Sequence, residues 1–147
     1  MINMEFNAAD LDQDHYIRRA REEASQIYSK DSTRRSRQYV DILQTTLYGH
    51  APEVYLIDKC GFTDDGRPYK DVIDTEGNPV EVKVTKGDYY VPYVLDRATK
   101  AKLETWRGFP DILYVFIGDK VTADYSLYGI YEWSENKFVL QKSPTMV

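Results

Sequence analysis

The run Asp111-Ile-Leu-Tyr-Val-Phe-Ile117 is apolar at every position from Ile112 onward, so neither face of it can be left to water. A strand alternates its side chains between two faces, and such a run is satisfied only at the centre of a sheet covered on both sides. The chain must therefore supply flanking strands and covering helices. With 147 residues it has the length of one domain, able to bury a core without disulfides or a structural metal.

The covering helices are legible first. Ile17, Ala20, Ala24, Ile27 and Tyr28 recur at three- and four-residue steps, one apolar stripe. After a polar break at Lys30 to Ser32, Tyr39, Ile42, Leu43, Thr46 and Leu47 make a second stripe, expected to end at Gly49. A short third helix is expected from Pro52 and Glu53, with proline in the first turn, closing at Gly61. Asp64 to Pro68 then reads as turn material. Asp71-Val-Ile-Asp74 and Val80-Glu-Val-Lys-Val84 read as two strands joined through Gly77, a hairpin. Tyr89 to Val94 is a further strand candidate, and Ala98 to Arg107 a short helix with Ala98, Ala101, Leu103 and Trp106 on one side. Leu127 to Trp133 and Lys137 to Leu140 complete the sheet. The fold class is α/β (α+β), a mixed β-sheet flanked by helices with a helical N-terminal region.

Several chemistries are excluded by residue count. The histidines are His15 and His50, both in the helical third, which leaves little for Ser-His-Asp or Cys-His catalysis. Cys60 stands alone, so no intrachain disulfide exists, zinc lacks ligands, and a reducing cytoplasm is the expected home. No glycine-rich phosphate loop is present. The first residues show no basic stretch followed by an apolar run, so no signal peptide is expected. The apolar clusters reach about six residues, against the ~20 a membrane span needs, so no membrane partner is expected. The thirteen tyrosines suit half-buried strands, dimer faces or base-contacting surfaces.

What remains is the hairpin. Glu81 and Lys83 share one face of their strand, with Val80, Val82 and Val84 on the other. The turn at Glu76-Gly77-Asn78 folds Asp71 back alongside them, so that two carboxylates and an ammonium converge. Two fixed oxygen ligands, with the other positions left to water and phosphate, suit Mg²⁺. Glu-x-Lys alone is a weak signal, and Glu135-Asn-Lys137, with Asp124 upstream, repeats it. That copy lies in a polar turn with no apolar strand around it. For Glu81 and Lys83 the plainer reading is a solvated strand face.

Pro68, Asp71 and Glu81-Val-Lys83 together resemble the signature of the PD-(D/E)xK nuclease superfamily: a carboxylate ending one strand and acidic-x-Lys on the next. The likeness extends, within the short type II restriction endonucleases of that superfamily, to the Asp-Glu-Lys spacing, Gly77, Trp106 to Val115 and Tyr128 to Tyr131, about residues 68–133 in all. It implies a restriction-endonuclease-like fold and a Mg²⁺-dependent endodeoxyribonuclease, with Mn²⁺ expected to substitute, that leaves 5′-phosphate ends on double-stranded DNA as a homodimer. On it, residues 1–147 are one nuclease domain, with a helical dimerisation or DNA-flanking region at about 8–48 and a catalytic core at about 50–142. Asp71, Glu81 and Lys83 are the catalytic residues, with Asp71 and Glu81 as metal ligands. Glu53 is a further candidate ligand, its plainer role being a first-turn glutamate that complements the helix dipole. Base-contacting histidines of the similar enzyme have no counterpart in Leu95 to Thr99, so no target sequence carries over. Asp96, Arg97 and Thr99 remain able to read bases, arginine on guanine and aspartate on cytosine, although Asp96 could instead cap a helix starting near Ala98.

The acidic total, 24 Asp and Glu against 19 Lys and Arg, argues against nucleic acid until it is divided along the chain. Residues 51–82 hold eight acidic and three basic side chains, and residues 83–107 hold six basic and three acidic ones. The acidic stretch ends at the hairpin. The basic stretch carries Lys86, Arg97 and Lys100, and a second basic cluster, Arg34, Arg35 and Arg37, precedes the second helical stripe. Both are placed to hold backbone phosphates. Structure-specific, junction-resolving cleavage and non-catalytic DNA binding are the alternative functions.

Overall fold

The structure, a computed structural model, describes residues 3–30, 38–65, 71–105 and 108–144. Among them lie seven strands: β1 (Glu5–Asn7), β2 (Thr63–Asp64), β3 (Val72–Ile73), β4 (Pro79–Thr85), β5 (Ile112–Gly118), β6 (Asp124–Ser134) and β7 (Lys137–Lys142). The helices are α1 (Gln13–Lys30), α2 (Tyr39–Cys60) and α3 (Val91–Lys100), the last running on into a π-helical turn at Ala101–Thr105. The strands form one mixed sheet in the order β1-β6-β5-β4-β3-β2, with β7 also paired to β6. Among the pairs, β4 and β5 are parallel and the rest antiparallel. A parallel pair needs a crossover connection, and α3 lies within it.

The apolar run at β5 is central, as its composition demands. Tyr114 and Phe116 join Leu56 of α2 with Val80 and Val82 of β4 in one core cluster. Leu113 and Val115 face the opposite way and pack with Val91 and Ala98 of α3, Phe109 and Phe138. A third cluster, under α1, holds Leu11, Tyr16, Val54 and Tyr125. Among the described residues, no helix is long and apolar enough to cross a membrane.

Three expectations are corrected. The second stripe does not end at Gly49: α2 continues through Pro52 to Cys60 and stops at Gly61, whose φ of 76° suits glycine. Pro52 offers no N–H to the Tyr48 carbonyl, and a helix interior normally pays for that loss. Here the Tyr125 hydroxyl donates to that carbonyl at 3.0 Å, so the acceptor is satisfied from β6. Tyr89 to Val94 is not a strand but a 3₁₀ turn (Asp88–Tyr90) leading into α3. Pro92 lies in the first turn of α3, where no N–H is needed, and Val91, Val94, Leu95 and Ala98 form its apolar side. The helix expected at Ala98 to Arg107 therefore begins earlier, and Leu103 is exposed rather than packed. Two short strands, β1 and β2, carry too few residues to show a period.

Candidate active site at the β3–β4 hairpin

The hairpin turn is held by Asp74, whose Oδ1 accepts the backbone N–H groups of Glu76 and Asn78, each at 2.9 Å. Gly77 follows with a φ of 86°, a conformation that side chains resist. β3 pairs with β4 only at Pro79 and Val80. Beyond that point the Val82 N–H donates to Asp71 Oδ2 at 2.9 Å, a charge-assisted bond that pins the carboxylate beside the strand.

On β4 the expected alternation holds. Val82 is buried in the core shared with α2, while Glu81 and Lys83 are level with Leu113 and Val115, on the side facing α3. The Glu81 side chain is only 7 % exposed and that of Lys83 is 44 % exposed, with Lys83 Nζ 3.7 Å from Glu81 Oε1. Glu81 is thus no solvated surface residue. Burial, and then the neighbouring Asp71 carboxylate, raise its pKa to about 10. A buried carboxylate held beside a second one favours the uptake of positive charge, whether a proton or a cation. That chemistry fits a divalent metal, although among the described residues no group of three or more His, Cys, Asp or Glu side chains is arranged to hold one. The set stands at two carboxylates.

Glu53 is placed otherwise than expected. It lies deep within α2 rather than in a first turn, so the helix-dipole role falls away. Its Oε1 takes a 2.6 Å ion pair from Arg19 of α1. Burial first, and then Asp71, raise the Glu53 pKa, with His50 and Arg19 opposing.

Arg19 is the residue that the sequence reading missed. Its side chain is 13 % exposed and joins Glu53 to Asp64 of β2, the latter at 2.5 Å. It also donates to the Asp71 carbonyl at 3.2 Å and, through Nε, to His50 Nδ1 at 3.1 Å. His50 Nε2 in turn meets the Glu23 carboxylate. A signal did exist: Tyr16, Arg19, Ala20, Glu23 and Ala24 fall at i, i+3, i+4, i+7 and i+8, so Arg19 and Glu23 border the buried stripe of α1.

The proposed DNA contacts divide. Lys86, Asp96, Arg97 and Lys100 are exposed on and before α3. Asp96 lies inside α3 and caps no helix start. Thr99 donates its hydroxyl to the Leu95 carbonyl at 2.8 Å, a bond within the helix. Arg34, Arg35 and Arg37 lie outside the described residues, as do Pro68, Trp106 and Arg107. Lys83, Tyr93, Arg97 and Phe109 line one small pocket of about 190 Å³, which sets α3 beside the hairpin lysine.

The remaining polar features are structural. Cys60 packs at the end of α2, where burial pushes its thiol up. His15 pairs with Asp58 at 3.0 Å. Asp124 accepts a bond from Asn7 at 2.9 Å, and Glu135 and Asn136 form the β6–β7 turn. In comparisons with known proteins, no family model, no curated protein and no solved structure matches the chain.

Proposed function

We propose that the chain is a Mg²⁺-dependent DNA endonuclease of the PD-(D/E)xK kind, on a restriction-endonuclease-like fold, that hydrolyses phosphodiester bonds to 5′-phosphate ends as a homodimer. The observation that carries this reading is the hairpin constellation: Asp71 bonded to the Val82 amide, Glu81 buried against it, and the half-exposed Lys83 with its Nζ beside Glu81. Solvated strand faces do not bury a glutamate in this way.

Asp71 and Glu81 would hold the metal, with Mn²⁺ an acceptable substitute. When bound, the ion supplies polarisation of the scissile phosphate and an acidified water. The Lys83 ammonium orients the attacking water and offsets the charge that grows on the phosphate oxygens. Arg19 bonds the Asp71 carbonyl and Glu53, which ties the Asp71 end of the site to α1 and α2. Lys86, Arg97 and Lys100 offer positive charge to the DNA backbone next to the hairpin.

The test is to incubate the protein and its Lys83→Ala variant with plasmid and with a synthetic four-way junction in Mg²⁺, and then sequence the ends. Discrete ends at one short motif support restriction-type cleavage. Cutting of the junction alone shifts the reading to a junction-resolving enzyme. Equal cutting by both proteins, or none with any divalent metal, overturns the catalytic assignment.

A further inference from the structure

Tyr89 and Tyr93 are 72 % and 59 % exposed, the largest exposures among the described aromatic side chains. They do not stand alone. The Tyr89 ring lies against Tyr90 with centroids 4.3 Å apart, and Lys86 Nζ sits 4.9 Å from the centre of the Tyr90 ring. The Arg97 guanidinium lies 5.7 Å from the centre of the Tyr93 ring and donates to its hydroxyl at 3.0 Å. Tyr93 and Arg97 then line the pocket that Lys83 enters from β4.

Exposed rings interleaved with cations are the two components of a surface that takes nucleic-acid strands without pairing: bases stack on the rings, and the cations hold the phosphates. In a duplex the base faces are already stacked on one another, so only unpaired bases can use such rings. Two exposed carboxylates, Asp88 and Asp96, lie among these cations, yet residues 83–100 still carry four basic against two acidic side chains, a balance that suits an anionic strand.

We infer that Tyr89 and Tyr93 form a stacking platform for unpaired bases beside the hairpin, so that the preferred substrate is DNA with a single-stranded stretch adjoining the cut. The claim about substrate rests on the nuclease reading, whereas the binding claim stands without it.

The experiment measures binding by fluorescence anisotropy, in EDTA to prevent cutting, with single-stranded DNA, fully paired duplex and gapped duplex. The proteins are the wild type, Tyr89→Ala, Tyr93→Ala and Tyr93→Phe, each checked by sedimentation. Expected is a roughly tenfold loss of single-strand and gapped affinity for each alanine variant, with duplex affinity within about twofold and Tyr93→Phe close to wild type. Unchanged single-strand affinity overturns the platform. Equal loss on duplex overturns it in favour of backbone contact, and dissociation of a dimer in the alanine variants assigns the surface to a second copy instead. Parallel assays in Mg²⁺ separate the two readings. Stacking without cleavage removes the nuclease and leaves the platform, and cleavage indifferent to both tyrosines does the reverse.

Discussion

Two stretches of this protein carry Glu-x-Lys, and the fold treats them oppositely. On β4, Glu81 and Lys83 flank a buried valine, beside a second carboxylate and under a covering helix. In the β6–β7 hairpin, Glu135 and Lys137 are exposed, and Glu135 and Asn136 take φ values of 52° and 65°, as a two-residue turn between twisted strands requires. The same residues at the same spacing join a buried carboxylate cluster in one place and form a loop tip in the other. Chemistry comes from the surroundings, because a carboxylate in water is fully solvated whereas a buried one must take up a proton, a cation or a partner.

The sharpest way to break that contrast is to remove each lysine. Lys83→Ala should lower cleavage by roughly 100- to 1,000-fold, on the scale of losing one preorganised donor, and Lys137→Ala should leave it unchanged. Plasmid nicking rates decide this, and a similar loss from both would erase the distinction.

Next in size is the scaffold behind the β4 site, which the turn does not have. Arg19→Ala leaves buried Glu53 with only His50 as a cationic neighbour and should destabilise the fold by roughly 3 kcal/mol, read from urea unfolding. Arg19→Lys should recover part of this. A loss under 1 kcal/mol would show that the arginine does not hold the site together.

Glu81→Gln should act in the other direction. The folded protein raises the Glu81 pKa above its ordinary 4.5, so the stability Glu81 contributes is full below that value and is lost as pH rises toward about 10. A neutral glutamine escapes this loss, and should raise metal-free stability at pH 7 by about 2 kcal/mol, with the gain shrinking toward pH 4.5. Thermal melts at both pH values test the sign. The variant should also lose the Mg²⁺-induced rise in melting temperature, whereas Glu135→Gln should keep it. The smallest effect belongs to the turn itself: Asn136→Gly should stabilise by about 0.5 kcal/mol, because glycine accepts positive φ more readily.

Much of this was legible in the sequence, for identifiable reasons. The central place of β5 followed from an apolar run with no polar face, and the β3–β4 hairpin from alternation around a glycine turn. Asp71, Glu81 and Lys83 were within reach because they are close in sequence and bracket one turn. Arg19, His50 and Glu23 were not, since α1 and α2 must first pack to bring them to the hairpin. The segment around Tyr89 to Val94 misled because β-branched and aromatic residues fit either period over so short a length, and Pro92 was the clue that the ladder could not continue there. Pro52 misled in the opposite sense, as a helix start that turned out to be a helix interior.

That proline also has a consequence for precision. By withholding an amide, Pro52 keeps the Tyr48 carbonyl available to a hydroxyl rooted in β6. A helix lying on a sheet can otherwise roll about its long axis like a pencil on a table. The Tyr125 tether, on the Tyr48 carbonyl, acts as a stop against that roll five residues before Glu53 in the helix. The azimuth at which α2 presents Glu53 and His50 is then set from β6, two strands along the sheet from β4.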